Sequence, residues 1–149
     1  MTSSSKRMEL AVAKMKEAGW RITEQRKNLY TLLLDSKEAM SAKDIMEVYK
    51  HRFPVKNIDL VTIYRIMDKF QDLELIHKVS KTGHYVVCEH LDCSSSYHII
   101  EVCKSCDAIL EKHIPAEIVE KLFEYVREKH EFLPSTHSFS LHGYCKKCG

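Results

Sequence analysis

Apolar residues recur at helical spacing through the first half of the chain. Four segments show this spacing, and residues typical of helix ends bound them. Gly19 is typical of a C-cap, whereas Thr23, Ser41 and Asp59 are typical N-caps. The pattern therefore predicts four helices before about residue 75. Their apolar positions are Met8, Val12 and Met15, then Leu29, Leu32 and Leu33, then Ile45, Val48 and Tyr49, and finally Ile63, Ile66, Phe70 and Leu73.

The fourth predicted helix is followed by two short runs of strand-like residues, 75–79 and 84–88. Between them, the sequence Lys81-Thr82-Gly83 is typical of a hairpin turn. Three helices, a further helix with a polar outer stripe, and a hairpin together describe a winged helix-turn-helix.

The second half of the chain has a different pattern. Residues 89–96 are polar without periodicity and are predicted to be a linker. Strands are expected over 97–102, 108–113 and 139–141. A helix is expected to about His130, with Pro115 in its first turn and with Ile118, Leu122, Tyr125 and Val126 on its apolar side. We expect an α+β fold with a winged helix-turn-helix over residues 1–88, a hinge over 89–96, and a small α/β domain over 97–149.

Charge separates the two halves. The chain has 149 residues and a net charge of +2, but residues 1–88 hold 16 Lys and Arg against 11 Asp and Glu. Residues 89–149 hold 7 against 10. A basic half indicates a polyanionic partner, with ordinary solvation as the alternative. No run approaches the roughly 18 apolar residues of a membrane span, and no secretory signal is recognised, so we expect a cytoplasmic protein.

Four of the six cysteines form two Cys-x-x-Cys pairs, Cys103 with Cys106 and Cys145 with Cys148. Such pairs are typical of a tetrahedral zinc site. Doubling the loop between them costs only about 0.6 kcal/mol, against roughly 10 kcal/mol gained from structural zinc. Two disulfides or a redox pair are the alternatives, and a reducing compartment favours the metal.

A second group of potential ligands is His77, Cys88, His98 and Glu111. They fall on the two predicted hairpin strands and on the first two strands after the linker. Mixed nitrogen, sulfur and oxygen donors suit zinc, and a thiolate argues against magnesium or calcium. The alternative for each residue alone is an ordinary buried or surface position.

The polar stripe of the fourth helix carries Thr62, Tyr64, Arg65 and Lys69. In a major groove, Arg65 can donate two bonds to a guanine edge, and Tyr64 can pack on a thymine methyl group or donate to a phosphate. Thr62 and Lys69 suit phosphate contacts. A solvated helix face is the alternative, and the hairpin that follows favours DNA binding.

These residues resemble a known family. Asp59-Leu-Val-Thr-Ile-Tyr-Arg65, His77-Lys-Val, Cys88 and the two Cys-x-x-Cys pairs are similar to the ferric uptake regulator family, most of all to its zinc uptake regulator branch. The resemblance implies a homodimer that binds double-stranded operator DNA and has no small-molecule substrate. It implies one structural zinc per subunit at Cys103, Cys106, Cys145 and Cys148, and one regulatory zinc at His77, Cys88 and Glu111.

The chain departs from the family before the first Cys-x-x-Cys pair, where it reads Tyr97-His98-Ile99-Ile100. His98 is therefore the predicted fourth regulatory ligand, and His90 and Cys93 compete with it. His137 matches a ligand of a further family metal site.

The resemblance implies a zinc-responsive repressor of metal uptake genes with zinc as co-repressor. An iron- or peroxide-responsive regulator of the same family is the alternative. No motif of a zinc hydrolase is present in the sequence, so we do not expect an enzyme.

Overall fold

The computed structural model describes residues 3–36, 38–79, 82–88 and 97–149. The chain divides into two compact units, Met1–Leu91 and Asp92–Gly149, which we call the first and second units. Helices and two small sheets make up the described residues, which confirms the predicted α+β class. Among the described residues, no helix combines the length and apolarity needed to span a bilayer.

The first unit contains the helices α1 (Ser3–Glu17), α2 (Glu24–Asp35), α3 (Ala42–Arg52) and α4 (Leu60–Asp72). The three predicted N-caps are confirmed. The side chain of Thr23 accepts from Arg26 N at 3.3 Å, and that of Asp59 accepts from Thr62 N at 2.7 Å. Ser41 forms a reciprocal capping box with Asp44. These bonds satisfy main-chain donors that the first turn of a helix leaves open.

The core of the first unit forms where the four helices meet. Phe70 of α4 lies edge-on to the rings of Trp20 and Tyr30, at centroid distances of 5.7 and 5.5 Å. Ile63 and Ile66 are buried as predicted, whereas Leu73 is only partly buried because it lies at the C-cap of α4. One face of α4 is thus fixed against the core and the other is left for solvent.

A hairpin follows α4, as predicted. Its strands β1 (Ile76–Lys78) and β2 (Tyr85–Val87) are antiparallel, with Ile76 opposite Val87. An additional contact was not predicted: Met40 and Tyr85 exchange two main-chain hydrogen bonds, of 3.1 and 2.8 Å. This bridge ties the outer edge of β2 to the segment between α2 and α3.

The second unit contains β3 (Tyr97–Cys103), β4 (Ile109–Ile114), α5 (Ala116–His130) and β5 (Ser138–Gly143). Its strand order is β4-β3-β5, with β3 antiparallel to β4 and parallel to β5. Pro115 occupies the N-cap of α5 rather than the predicted first turn. Because β3 is the central strand, its residues lie between residues of β4 on one side and residues of β5 on the other.

The apolar side predicted for α5 is not the side that packs on the sheet. Val119 and Phe123 are buried, and Phe123 lies 5.9 Å from the ring of Phe139. Ile118 and Leu122, which lie on the predicted apolar side, are exposed. A three-stranded sheet covers only one stripe of the helix, so a second apolar stripe lies at the surface of the single chain.

Candidate metal sites and DNA-binding surface

The four cysteines of the two Cys-x-x-Cys pairs converge in the second unit. Cys103 ends β3, and the parallel pairing of Cys103 with Gly143 of β5 brings the second pair beside the first. All four sulfur atoms lie within 4.8 Å of one another, and the structure describes them as free thiols. Cys106 Sγ lies 3.8 Å from Cys145 Sγ. A zinc–sulfur bond of about 2.3 Å gives a tetrahedron edge of about 3.8 Å, so the arrangement fits zinc.

Main-chain amides favour the thiolate form of Cys103. The N–H group of Cys145 donates to Cys103 Sγ at 3.4 Å, and the N–H groups of Cys106 and Ser105 add to it. These bonds lower the pKa of Cys103 to about 6. The pKa of Cys148 is raised to about 12, because its thiol is hydrogen-bonded to the sulfurs of Cys145 and then Cys106. A bound cation would replace the shared protons and let all four sulfurs be thiolates.

A buried histidine–carboxylate pair lies elsewhere in the second unit. The Nδ1 atom of His98 lies 3.2 Å from Oε1 of Glu111, and their side chains are 0% and 2% exposed. Strand register explains the pair, since Glu111 of β4 lies opposite Ile100, two residues from His98 on the same face of β3. The ring of His113 lies 5.0 Å from the ring of His98. The pair of His98 and Glu111 offers one nitrogen and one oxygen donor to a metal ion.

In the first unit, the hairpin brings His77 and Cys88 together. His77 lies on β1 and Cys88 follows β2, where its N–H group donates to the main-chain oxygen of Leu75 at 3.2 Å. Both residues are buried, and their potential ligand atoms lie within 4.8 Å of each other. The sulfur of Cys88 is engaged in a disulfide bond. A thiolate ligand at this position therefore requires reduction of that bond.

The other candidate ligands are placed differently. His137 stacks on the ring of Tyr97 at 6.2 Å, and its main-chain oxygen accepts from His98 N at 2.9 Å. Among the described residues, His137 belongs neither to the cysteine cluster nor to the pairs formed by His98 with Glu111 and by His77 with Cys88. His90, Cys93 and the predicted linker over 89–96 lie outside the described residues.

The outer face of α4 borders a basic cleft of about 410 Å³. Arg65 and Lys69 line it from α4, and Arg26 lines it from α2. The guanidinium group of Arg26 lies 3.9 Å from the centroid of the Trp20 ring and donates to the main-chain oxygen of Arg21. None of the described residues that line the cleft is acidic. The lining residues are Trp20, Thr23, Gln25, Arg26, Thr62, Arg65, Ile66 and Lys69.

Sequence reasoning missed Arg26 in this surface. The sequence places it one turn into α2, far from the predicted stripe, and only the packing of α2 against α4 brings the two arginines into one cleft. A basic residue in the first turn of a helix could have indicated this surface. It is unfavourable next to the positive end of the helix dipole, and an anionic partner would stabilise it.

Comparison with known proteins places the chain in a family. Residues 17–142 match the sequence model of the ferric uptake regulator family. Among curated relatives, the peroxide-responsive repressor PerR of Staphylococcus epidermidis is 30% identical over 142 residues, which are 95% of this chain and 89% of the relative. The peroxide operon regulator of Bacillus subtilis is 28% identical over 139 residues, which are 93% and 90% of the two chains.

Solved structures also share the fold. A zinc uptake regulator complexed with zinc and DNA has a TM-score of 0.80 and 25% identity, over 99% of this chain and 95% of that chain. A holo zinc uptake regulator, XcZur, has a TM-score of 0.75 and 22% identity over 98% and 97%. The chain therefore belongs to the ferric uptake regulator family, and it is a metal-responsive DNA-binding repressor rather than an enzyme.

Proposed function

We propose that this chain is a zinc-responsive repressor of metal uptake genes, with zinc as its co-repressor. The observation that carries the proposal is the donor set of the two buried pairs. His77 and Cys88 form one pair, and His98 and Glu111 form the other. Two imidazoles, one thiolate and one carboxylate make a mixed set that suits zinc, whereas iron and manganese sites rely more on nitrogen and oxygen donors.

We assign the cysteine cluster a permanent structural role in the same protein. Cys103, Cys106, Cys145 and Cys148 would hold one zinc ion per subunit, as the sulfur spacing of 3.8 Å supports. All four sulfurs belong to the second unit, so this ion would brace that unit, and we assign it no role in sensing. The regulatory zinc is then a second ion in each subunit.

The regulatory mechanism follows from where the four proposed ligands lie in the chain. His77 and Cys88 belong to the hairpin of the first unit, whereas His98 and Glu111 belong to the sheet of the second. Ligation of one ion by all four residues would fix the angle between the units. In the homodimer this angle sets the distance between the two α4 helices, which must match half-sites one helical turn or a multiple apart.

The energy required is within reach of such a site. Shifting a population from 1:99 to 99:1 takes about 5.5 kcal/mol of preference for the closed form. Structural zinc sites provide apparent binding energies of about 10 kcal/mol or more, so four ligands can supply the preference. Without zinc, the distance between the two α4 helices of the dimer would vary. DNA binding would then have to supply the free energy needed to fix that distance.

We place α4 in the major groove of the operator. Arg65 would donate to a guanine edge and Tyr64 would pack on a thymine methyl group, while Thr62 and Lys69 would contact phosphates. The exposure of Tyr64 and Arg65 and the basic cleft beside them support this docking. The similar zinc uptake regulator structure, which contains DNA, supports it further.

An iron- or peroxide-responsive regulator is the second candidate. Its support is the identity of 28–30% to the peroxide-responsive relatives. Cys88 argues against it, because carboxylate-rich iron sites do not call for a thiolate. If His98 were not the fourth ligand, His90 or Cys93 would replace it. His137 is a separate candidate, for a further metal site.

The two candidates separate in a DNA-binding titration. Reduced protein that keeps its structural zinc is stripped of other metal and titrated in parallel with zinc, ferrous iron and manganese, with operator binding as the readout. We expect zinc to restore binding at the lowest free metal concentration, with two zinc ions per subunit by native mass spectrometry. Binding restored by iron or manganese but not by zinc, and abolished by peroxide, would establish the second candidate instead.

A further inference from the structure

The solvent face of α4 carries two apolar side chains one turn apart. Val61 is 59% exposed and Tyr64 is 43% exposed. Together with the exposed Arg65 and Asp68 they follow the spacing i, i+3, i+4 and i+7, which is one face of a helix. Thr62 and Lys69 are half-buried at the edge of this face, where they line the basic cleft. Val61 is therefore the first residue on the face of α4 that is most accessible to a DNA groove.

Packing within the first unit does not account for Val61. The buried face of α4 is complete without it, since Ile63, Met67 and Phe70 are fully buried. A β-branched residue also lowers helix propensity and gains nothing from facing water. Single exposed apolar residues are common, but Val61 and Tyr64 lie one turn apart on the same face, at the start of the helix that we place in the major groove.

We propose that Val61 determines operator sequence by packing on the 5-methyl group of a pyrimidine next to the base that Tyr64 contacts. The only apolar group on the major-groove edges of the four bases is the thymine methyl. An aliphatic side chain without donors can read only that feature. Val61 thereby adds a specificity-determining contact to the polar readout by Arg65. This inference rests on the docking of α4 in the proposed function.

The test compares thymine with uracil, which lacks only the methyl group. Duplexes are enriched from a randomised library with the zinc-loaded wild-type protein, and each thymine of the enriched site is replaced singly by deoxyuridine. At one thymine the wild-type protein should lose about fourfold in affinity, the fold-change of one buried CH₂ group. Val61→Ala should bind the thymine site more weakly, and replacing this thymine by deoxyuridine should no longer change its affinity. A thymine contacted by Tyr64 should remain sensitive to that replacement in the variant.

A matched control and a second base chemistry sharpen the result. Val55 is 95% exposed between α3 and α4, so Val55→Ala should retain the full uracil pattern of the wild type. With cytosine in place of the sensitive thymine and guanine opposite it, 5-methylation of that cytosine should strengthen wild-type binding and leave Val61→Ala unaffected. This result would show that the methyl group is read rather than the thymine oxygen.

Two outcomes would overturn the inference and can be told apart. If Val61→Ala kept the wild-type response to uracil at every thymine, the Val61 contact would be wrong although DNA docking through α4 stood. If the zinc-loaded wild-type protein enriched no duplex at all, the docking itself would fail, and with it the proposed function.

Discussion

The Nδ1 atom of His98 lies 3.2 Å from Oε1 of Glu111 inside the second unit, with both side chains almost fully buried. A buried carboxylate is costly unless a cation or a donor compensates its charge. His98 can compensate it as a protonated ring, and a divalent metal can do so while using both residues as ligands. We therefore expect the second unit to respond to zinc at this pair.

The first prediction concerns Glu111. Glu111→Gln keeps the shape of the side chain but removes the negative charge, so we expect zinc to bind at least about 10-fold more weakly. More zinc would then be needed for half-maximal DNA binding, as measured by fluorescence anisotropy of a labelled operator. Glu101→Gln is the matched control, because Glu101 is exposed on the opposite face of β3. An unchanged zinc midpoint in Glu111→Gln would exclude Glu111 as a ligand.

The second prediction concerns Cys88 in reduced protein. Cys88→Ser replaces a thiolate donor by a hydroxyl group that stays protonated near neutral pH, so zinc-dependent DNA binding should be abolished. The variant should remain a folded dimer by analytical ultracentrifugation and circular dichroism, since the cysteine cluster of the second unit is intact. An unfolded variant would show instead that Cys88 serves the core and not the sensor.

The third prediction concerns base recognition by α4. Arg65→Ala should weaken specific binding by about 1–3 kcal/mol and relax the base preference at one operator position. Competition with operators changed at single positions measures both effects. Arg52→Ala is the control, because Arg52 pairs with Asp35 at 2.8 Å and belongs to α3. Operator binding that was unchanged in Arg65→Ala would make the proposed docking wrong.

The fourth prediction concerns the pH dependence of the structural zinc. The pKa of Cys103 is lowered to about 6 by main-chain N–H groups. Its folded pKa lies below the unfolded value of about 8.5, so its contribution to stability is present above that value and is lost as the pH falls through about 6. Zinc binding also releases the thiol protons, which compete for the sulfurs in acid.

Zinc release to a coloured chelator should accordingly rise as the pH is lowered. The melting temperature of the second unit should fall in parallel, because the two Cys-x-x-Cys turns lose their common ligand. Thermal melts of zinc-loaded and chelator-treated protein at each pH separate the effect of metal from that of acid. Zinc retention that was independent of pH would contradict thiolate ligation.

Local chemistry made much of the fold predictable from the sequence. Thr23, Ser41 and Asp59 cap their helices with bonds to residues three positions away, and the buried spacing of α4 is set within one helix. The Cys-x-x-Cys pairs are equally local, because each places two sulfurs on one turn. Such features depend on neighbours in the chain, so the pattern of residues is sufficient to find them.

The sequence by itself thus determined the elements, the caps and the candidate ligands, whose assignment to metals stays a prediction. Only the tertiary structure decided which stripe of α5 packs on the sheet, that Met40 pairs with Tyr85, and that Arg26 shares a cleft with Arg65. It also decided the register that sets His98 against Glu111. These relationships join residues that are distant in sequence. Local periodicity cannot distinguish between alternative strand registers or packed helix faces, whereas long-range pairing and packing select one of them.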